Sequence, residues 1–358
     1  MNTIWNFSAG PAMLPHEVLL QVQTELLNWQ GVGASVIEVS HRSVEFAALV
    51  AEAKQDLRTL LNLPEEFEIL FTSGGAQAQF ALVPMNLLAQ SDHADYLITG
   101  SWSEKAAHEA KRFASIHIAA NGASLDYTTV PDQATWQLDP QARYFHYASN
   151  ETIHGLQLHD MPKIDTPLVI DMSSDFLSKP LDFKRVELIY AGAQKNIGSA
   201  GLTVILIKRD CLARCSERAP SVFNYRTLSQ KDSMPNTPVT FAWYVASLVF
   251  KWLKRQGGLG AMLERNQRKA ALLYAAIDDS QLYNNSIAKP YRSLMNVTFD
   301  LSDKQLLPVF LAEAKRCGLI NLKGHSLRGG VRASIYNAMP EAGVLALINF
   351  MKDFERRI

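Results

Sequence analysis

The stretch that decides the fold is residues 166–201, TPLVIDMSSDFLSKPLDFKRVELIYAGAQKNIGSAG. It contains two apolar runs, at 168–170 and 186–190, which are typical of buried strands. Asp171 follows the first run directly, and Lys195 follows the second within a run of small residues. Residues that follow the strands of a parallel sheet gather at its carboxyl edge. The stretch therefore predicts an α/β fold with a ligand site at that edge.

The same pattern extends over the first two thirds of the chain. Further apolar runs that predict strands lie at 68–71, 96–99, 144–147 and 203–207. Helical spacing of apolar residues marks 17–29 and 44–61, and a helix is expected from about residue 76. Because short apolar strands alternate with helices, we expect a mostly parallel sheet buried on both faces.

The chain of 358 residues is too long for one small core, so two domains are expected. After about residue 258 helical patterns at 263–277, 306–317 and 343–356 mix with strand-like stretches at 292–299 and 330–336. We predict a large domain over residues 16–258. A smaller α+β domain is expected from residues 259–358 together with residues 1–15, where Ser8-Ala-Gly-Pro11 resembles an ordered turn.

Composition excludes several classes of function. Lys and Arg number 35, as do Asp and Glu, so nothing suggests a nucleic-acid partner. We expect neither a signal peptide nor a transmembrane helix. Three cysteines suit a reducing compartment, and a cytoplasmic location is expected. Cys211 and Cys215 lie four residues apart, but no further cluster completes a metal site, so two partly buried thiols are the simpler interpretation.

Asp171 and Lys195 together indicate a cofactor. A carboxylate at the end of a buried strand needs a cationic partner, and a protonated pyridine nitrogen is a suitable one. A partly desolvated lysine has a lowered pKa and can form a Schiff base. Each residue also has an ordinary interpretation: Asp171 could cap a helix, and Lys195 could be solvated on its loop. Their combination predicts pyridoxal 5'-phosphate bound as a Schiff base on Lys195.

Other residues after strands extend this site. The turn Ser73-Gly74-Gly75 precedes a helix and suits a phosphate group, although many such turns contain glycine. The ring of Trp102 could stack on a pyridine ring, or it could simply belong to the core. Thr152 could donate a hydrogen bond to the ring oxygen, and Gln194 could contact the phosphate or the ring edge.

A second group of residues indicates an acidic substrate. His41 and Arg42 are adjacent, and His325, Arg328 and Arg332 lie close together beside glycines. Arginine binds carboxylate or phosphate through two parallel hydrogen bonds. Surface ion pairing is the alternative explanation for these residues.

With these residues in place, the sequence resembles a known family, the phosphoserine aminotransferases among the class-V pyridoxal-phosphate-dependent aminotransferases. The resemblance covers nearly the whole chain and includes motifs in the family's order. They are NFSAGPA at 6–12, EVSHRS at 38–43, GSW at 100–102, SNETIHG at 149–155, DMSSD at 171–175, YAGAQKN at 190–196, NTP at 236–238 and RASIYN at 332–337.

The resemblance implies the aspartate-aminotransferase-type fold (fold type I), with a seven-stranded sheet in the large domain, and a homodimer with active sites at its interface. It implies that Lys195 is the catalytic lysine. The implied cofactor-binding residues are Ala76, Gln77, Trp102, Thr152, Asp171, Gln194 and Lys195, with Asn236 and Thr237 from the partner. The implied substrate-binding residues are Ser8, His325, Arg328 and Arg332, with His41 and Arg42 from the partner.

The implied reaction is reversible amino transfer from glutamate to 3-phosphohydroxypyruvate, which gives 2-oxoglutarate and O-phosphoserine for serine biosynthesis. Some members of the family also serve pyridoxine synthesis. One departure concerns the motif Gly-His-Arg-Ser-x-Gly-Gly-x-Arg, in which this chain has Ser326 after His325. Arg328 lies two residues further on and could replace the missing guanidinium. The departure concerns side-chain specificity rather than cofactor chemistry.

Three alternatives compete with this function. An aminotransferase for a different acidic amino acid is the strongest, because of Ser326. A cysteine desulfurase would need a mobile nucleophilic cysteine, whereas Cys317 lies at a predicted helix end. A binding or regulatory protein that has lost catalysis is disfavoured by the presence of Asp171, Lys195 and Trp102.

Overall fold

A computed structural model describes residues 3–358. Its elements up to the last strand of the large sheet are β1 (Trp5–Asn6), α1 (His16–Glu25), α2 (Val44–Leu61), β2 (Phe67–Ser73), α3 (Gly75–Leu87), β3 (His93–Ile98), α4 (Ser101–Ala110), β4 (Ser115–Asn121), β5 (Phe145–Ala148), β6 (Asn150–Glu151), β7 (Leu156–Gln157), β8 (Leu168–Asp171), β9 (Val186–Gly192) and β10 (Leu202–Lys208). The remaining elements are α5 (Arg209–Ala213), α6 (Tyr225–Gln230), α7 (Thr240–Arg255), α8 (Gly258–Asp278), β11 (Tyr283–Asn284), β12 (Asn296–Leu301), α9 (Leu307–Arg316), β13 (Leu319–Ile320), β14 (Val331–Ser334) and α10 (Glu341–Glu355).

The large sheet has seven strands in the order β2-β10-β9-β8-β5-β3-β4. All neighbouring pairs are parallel except those that β10 forms with β2 and β9. The predicted fold class, a mostly parallel seven-stranded sheet of the aspartate-aminotransferase type, is confirmed. The central strands β8 and β9 are buried along their whole length, which explains their uninterrupted apolar sequence.

Strand β4 is the one strand of this sheet that the apolar runs did not predict. It lies at the sheet edge and pairs only with β3. Its sequence SIHIAAN is partly exposed along most of its length, so its apolar residues alternate with polar ones and form no continuous run. An edge strand needs less apolar sequence than a central one, because only one side of it is paired and covered.

The helix at 44–61 was predicted with the bounds that α2 shows, whereas the helix at 17–29 is shorter than expected. Helix α1 ends at Glu25, and Trp29 begins a separate turn of 3-10 helix, Trp29–Gly31. Trp29 is fully buried although the preceding Leu27 is 86% exposed. The apolar spacing continues through residue 29 because Trp29 is part of the core. Trp29 lies in the 3-10 turn after α1, however, so the helix itself is shorter than the spacing predicts.

Apolar side chains form separate cores on the sheet and beyond it. Two clusters pack against the large sheet, and a third contains residues of α8, α9 and α10 with the strands β12 and β14. Phe7 from the N-terminal arm belongs to this third core, and β1 pairs with β13. We therefore propose the division into a domain over 16–258 and a smaller one over 259–358 with 1–15, of which residues 1 and 2 lie outside the described part.

The parallel strands bring their carboxyl ends to one edge of the sheet. There β2 leads into Gly74, β3 into Gly100, β8 ends at Asp171, and β9 leads toward Lys195. This edge holds the candidate active site. Within residues 3–358, no helix combines the length and apolarity that a bilayer crossing would require.

Candidate active site

A cavity of about 200 Å³ lies at the carboxyl edge of the sheet. Its lining comes from β6, from the end of β8, from the first turns of α3 and α4, and from the segments that follow β2, β6, β8 and β9. The lining residues are Gly74, Gly75, Ala76, Gln77, Phe80, Trp102, Asn150, Thr152, Asp171, Ser173, Ser174, Gln194 and Lys195. The cavity thus brings together every residue that the sequence predicted to bind the cofactor from within one chain.

Lys195 enters this cavity from the segment after β9. Its Nζ donates a hydrogen bond to Oγ1 of Thr152 at 2.7 Å and lies 5.8 Å from the centre of the Trp102 ring. Burial lowers the pKa of Lys195 to about 8, although the carboxylate of Asp171 acts in the opposite direction. With a pKa of about 8, roughly a tenth of the amine is unprotonated at pH 7, far more than for an ordinary lysine, and nucleophilic attack on an aldehyde requires this form.

Asp171 is a buried carboxylate at the end of β8. Its Oδ1 accepts a hydrogen bond from the backbone N–H of Ser173 at 2.9 Å. Burial raises the pKa of Asp171, while the hydrogen bonds from Ser173 and the charge of Lys195 oppose that rise. The residue does not begin a helix, since a turn follows β8. A cation in the cavity would offset the cost of this buried charge, as a protonated pyridine nitrogen does.

The N-terminus of α3 fits a phosphate group. The helix begins at Gly75, no side chain caps it, and its first turn contains no acidic residue. Gly74 has a φ of +99°, and a Cβ on it would lie 2.7 Å from the Cβ of Ala78, so the turn requires glycine. Uncapped N–H groups at a helix N-terminus attract a dianion, and Ala76 and Gln77 line the cavity there.

Trp102 is held in place by Glu151, a residue that the sequence did not single out. Both carboxylate oxygens of Glu151 accept hydrogen bonds from the first turn of α4: Oε2 from the N–H of Trp102 at 3.0 Å, and Oε1 from the N–H of Ser103 at 2.8 Å. A Cβ on Gly100 would lie 2.5 Å from this carboxylate. Gly100 before Ser101 and Trp102 was the signal in the sequence that could have pointed to this contact, because a glycine there allows another side chain to approach the backbone closely.

The aromatic ring of Trp102 has two environments. It packs against the apolar core between α3 and α4, and it also lines the cavity. Within the described residues its buried Nε1 has no hydrogen-bond partner. Trp102 can therefore belong to the core and stack on a ligand as well, because one part of its ring packs on the core while another faces the cavity.

Arg332 lies beside the cavity on β14. Its Nη1 is 3.4 Å from the backbone oxygen of Thr152, whose side chain accepts the hydrogen bond from Lys195. The positive charge of Arg332 contributes to lowering the pKa of Lys195. His325 is near as well: burial chiefly lowers its pKa, and Arg332 and Lys105 lower it further.

Arg328 contacts an acidic side chain of its own chain, and its role in binding a distal anion stays a prediction. Its guanidinium forms an ion pair with Asp300 of β12, with Nη2–Oδ2 at 3.0 Å and Nη1–Oδ1 at 3.4 Å. Ser326, which stands at the family's arginine position, is exposed in the turn between His325 and Arg328. A competing carboxylate thus holds the guanidinium that was expected to bind a distal anion.

The N-terminal arm also reaches the site. The N–H of Ala12 donates to the backbone oxygen of Gln194 at 2.8 Å, and a Cβ on Gly10 would lie 3.4 Å from side-chain carbons of Gln194 and Lys195. The predicted ordered turn at 8–11 therefore lies against the lysine segment. Ser8 is only partly buried, and its Oγ lies 3.5 Å from the N–H of Gly10.

The remaining predicted residues lie outside this cavity in a single chain. His41 and Arg42 precede α2, and Arg42 is exposed. Asn236 and Thr237 line a separate cleft of about 110 Å³, together with residues at the end of β2. The resemblance implies that these four residues act from a partner subunit, and that assignment stays a prediction.

Cys211 and Cys215 are buried thiols. The Sγ of Cys211 donates to Glu187 at 2.8 Å, and burial raises the pKa of both groups, that of Cys215 to about 11. Such thiols are poor nucleophiles. No group of three or more His, Cys, Asp or Glu residues in the described part of the chain is arranged to hold a metal ion.

Comparison with known proteins identifies the family. The family model for aminotransferase class-V matches residues 4–347. The chain belongs to this family. A phosphoserine aminotransferase of Coxiella burnetii is 52% identical over 358 residues, covering 100% of this chain and 99% of the relative. Solved phosphoserine aminotransferases from Bacillus circulans subsp. alkalophilus and, with bound pyridoxal phosphate, from Trichomonas vaginalis are each 42% identical, with TM-scores of 0.96 and 0.94. The first comparison covers 99% of both chains, and the second covers 98% of this chain and 99% of the other.

This class-V aminotransferase is accordingly a pyridoxal-phosphate-dependent transaminase, and the predicted family and cofactor are confirmed. The cavity fits that cofactor on independent grounds: a buried carboxylate, an uncapped helix N-terminus and a lysine with a lowered pKa line one space. A protein without catalysis is thereby disfavoured. A desulfurase is disfavoured as well, because Cys211 and Cys215 are buried and the exposed Cys317, which directly follows α9, does not line the cavity.

We expect Glu151→Gln to weaken cofactor binding. A glutamine has one acceptor oxygen where the carboxylate has two, so one N–H of the first turn of α4 loses its acceptor and Trp102 is less firmly held. Leaving such a group unpaired costs about 1–3 kcal/mol, and if about 1.4 kcal/mol of this cost falls on cofactor binding, Kd rises about tenfold. Titration of the cofactor-free protein with pyridoxal phosphate, followed by absorbance, measures this. Glu104→Gln in the same turn is the exposed control, and equal Kd values in both variants would contradict the assignment.

Proposed function

We propose that this aminotransferase transfers the amino group of glutamate reversibly to 3-phosphohydroxypyruvate, giving 2-oxoglutarate and O-phosphoserine in serine biosynthesis. The observation that carries the proposal is the cavity in which Lys195, Thr152 and Asp171 meet. The full-length similarity to phosphoserine aminotransferases supports the choice of substrates. A further role in pyridoxine synthesis stays a prediction.

Each cavity residue has a defined task in this reaction. When bound, pyridoxal phosphate supplies an electron sink for the charge that develops at the substrate Cα. Asp171 keeps a negative charge where the pyridine nitrogen would lie. Lys195 holds the cofactor covalently and, once released by substrate, moves the proton at Cα, for which a pKa near 8 is suitable. Thr152 orients the lysine amine through its 2.7 Å hydrogen bond.

The proposed cofactor contacts follow from the placement of the lining residues. Ala76 and Gln77 at the start of α3 would bind the phosphate through their N–H groups. Trp102 would stack on the ring, and Gln194 would complete the site beside Lys195. Asn236 and Thr237 of a second copy would reach the same phosphate.

The proposed substrate contacts lie on the other side of the lysine. Arg332 would bind the α-carboxylate, because it is partly buried beside Thr152. His325 and Ser8 would act near the distal group, together with His41 and Arg42 of a second copy. Cationic and neutral donors of this kind accept both a distal carboxylate and a distal phosphate, as the two substrates require.

A homodimer with shared sites is part of the proposal. Several large apolar side chains within residues 19–44, the stretch that also contains His41 and Arg42, are exposed: Leu19, Leu20, Leu27, Ile37 and Val44, with Leu27 at 86% and Val44 at 82% exposure. Burial of such side chains against a second copy would favour association. We also propose a cytoplasmic location, since three free cysteines suit a reducing compartment.

Reductive labelling tests the covalent role of Lys195. Borohydride treatment of the cofactor-loaded enzyme should fix the cofactor on the peptide that contains Lys195, and prior addition of glutamate or phosphoserine should prevent labelling. Lys269, whose pKa burial lowers to about 7, is the internal control for low pKa alone. Label on any other lysine, or none at all, sinks the proposal. Lys195→Arg should abolish both the label and amino transfer.

A second candidate function, transfer from a different acidic amino acid, is favoured by Ser326 and by the pairing of Arg328 with Asp300. Arg328→Ala decides whether that guanidinium still reaches the substrate. If Arg328 binds the distal anion, KM should rise about tenfold for both substrates, with the greater rise for the phosphorylated one. Lys323→Ala is an exposed control on the same segment. Unchanged KM values for both substrates would remove Arg328 from the substrate site and leave it a structural partner of Asp300.

Mixed dimers test whether the active sites are shared. Lys195→Ala and Arg42→Ala subunits, each impaired as homodimers, should regain activity when co-expressed, because one site of the mixed dimer then contains both native side chains. Equal mixing should give about a quarter of the native activity. If Arg42 acted within its own chain, no site would be intact and no recovery would be seen. Differently tagged subunits allow purification of the mixed species for assay.

A further inference from the structure

Lys269 of α8 is a buried cation with no part in the proposed chemistry. Its side chain is almost fully buried, and its Nζ donates to three backbone oxygens, those of Ile335 at 2.9 Å, Tyr336 at 2.8 Å and Met339 at 2.9 Å. These three residues belong to one stretch between β14 and α10, here named the 335–339 segment. A single ammonium group therefore binds nearly the whole segment.

The three acceptors match a protonated amine. An ammonium has three N–H donors and no acceptor, whereas a neutral amine would leave one of the oxygens without a proton. Burial lowers the pKa of Lys269 to about 7, with Arg265 acting in the same direction and Glu341 opposing it. Charge-assisted hydrogen bonds offset the cost of burying the cation at the wall of a cleft of about 710 Å³.

The 335–339 segment joins two parts of the active site. On its N-terminal side it continues from β14, which carries Arg332. In the middle of the segment, Asn337 donates its N–H to Oδ1 of Asn196 at 3.0 Å, and Asn196 directly follows Lys195. A displacement of this segment would therefore move the proposed carboxylate ligand and the neighbour of the catalytic lysine together.

Helix α8 holds the segment at a second point. Asn266, three residues before Lys269, donates from Nδ2 to Oδ1 of Asn337 at 2.8 Å. The Oη of Tyr336 donates to the backbone oxygen of Ala9 in the N-terminal arm at 2.7 Å. Lys269 is thus the central part of a network that ties α8 to the lysine segment through polar contacts, almost all of them buried.

We propose that Lys269 is a positioning residue: by binding the carbonyl oxygens of the 335–339 segment, it sets the orientation of Arg332 toward the substrate carboxylate and of Asn196 beside Lys195. The inference rests on the proposed role of Arg332 in substrate binding. Lys269 touches neither substrate nor cofactor, and its effect passes through the backbone. A loss of Lys269 should therefore appear in substrate binding more than in the chemical step.

Lys269→Met tests this, since methionine is similar in length and donates no hydrogen bond. The KM for glutamate and that for phosphoserine should both rise about tenfold, with kcat changed less than about threefold, because a small misplacement of a substrate ligand weakens binding. Backbone amides of the 335–339 segment should exchange hydrogen faster in the cofactor-loaded variant. Leu347→Ala, which removes a buried side chain from the same core, controls for lost stability and should lower Tm without changing either KM.

Two further variants keep the proposal falsifiable. Asn337→Ala removes the side chain that accepts from Asn266 and donates to the backbone oxygen of Leu177, and it should raise the same KM values. Combined with Lys269→Met it should add little, because both act through one segment. If Lys269→Met does not fold, Asn337→Ala and its exchange rates decide. Unchanged KM with faster unfolding, as in Leu347→Ala, overturns the inference while leaving the function intact. Absence of glutamate-dependent amino transfer in the unaltered enzyme would instead overturn the proposed function.

Discussion

The burial of a carboxylate at the end of a central strand is the constraint on which the rest of the site depends. Asp171 is nearly inaccessible, and burial raises its pKa, so a positive charge nearby favours its ionised form. The same burial lowers the pKa of Lys195 and keeps part of the amine reactive. Both shifts arise because parallel strands, covered on both faces, end with these groups buried at one cavity. A ring with a cationic nitrogen and an aldehyde fits the two groups together.

Two other buried charges stabilise backbone rather than bind ligand. Glu151 accepts N–H groups from the start of α4 and so fixes Trp102, and Lys269 donates to carbonyl oxygens of the 335–339 segment and so fixes the chain beyond Arg332. A negative charge suits the N–H groups of a helix start, and a positive charge suits a cluster of carbonyl oxygens. Glu151 and Lys269 thus each bind peptide groups near the site. Their hydrogen bonds restrict the movement of the backbone that carries Trp102 and Arg332.

Cofactor chemistry and substrate specificity depend on different parts of the molecule. The cavity residues come from the large sheet and meet within one chain, whereas the proposed distal-anion residues come from the segment 324–332, the N-terminal arm and a second copy. The pairing of Arg328 with Asp300 belongs to this second part. A change there can alter which acidic substrate is accepted while the lysine and the carboxylate remain as they are, because neither Lys195 nor Asp171 takes part in the ion pair of Arg328 with Asp300.

The sequence by itself determined the fold class, the cofactor and the residues that lie directly after strands, because apolar runs define buried strands and the residues after those strands gather at the carboxyl edge. Strand β4 escaped this reasoning, since an edge strand needs no continuous apolar run. Glu151 and Lys269 escaped it as well: their partners are peptide groups 48 to 70 positions away in the chain, and no local pattern records such a contact. Only the tertiary structure decided that Asp300 binds Arg328, because two oppositely charged side chains 28 residues apart meet only when β12 and β14 pair.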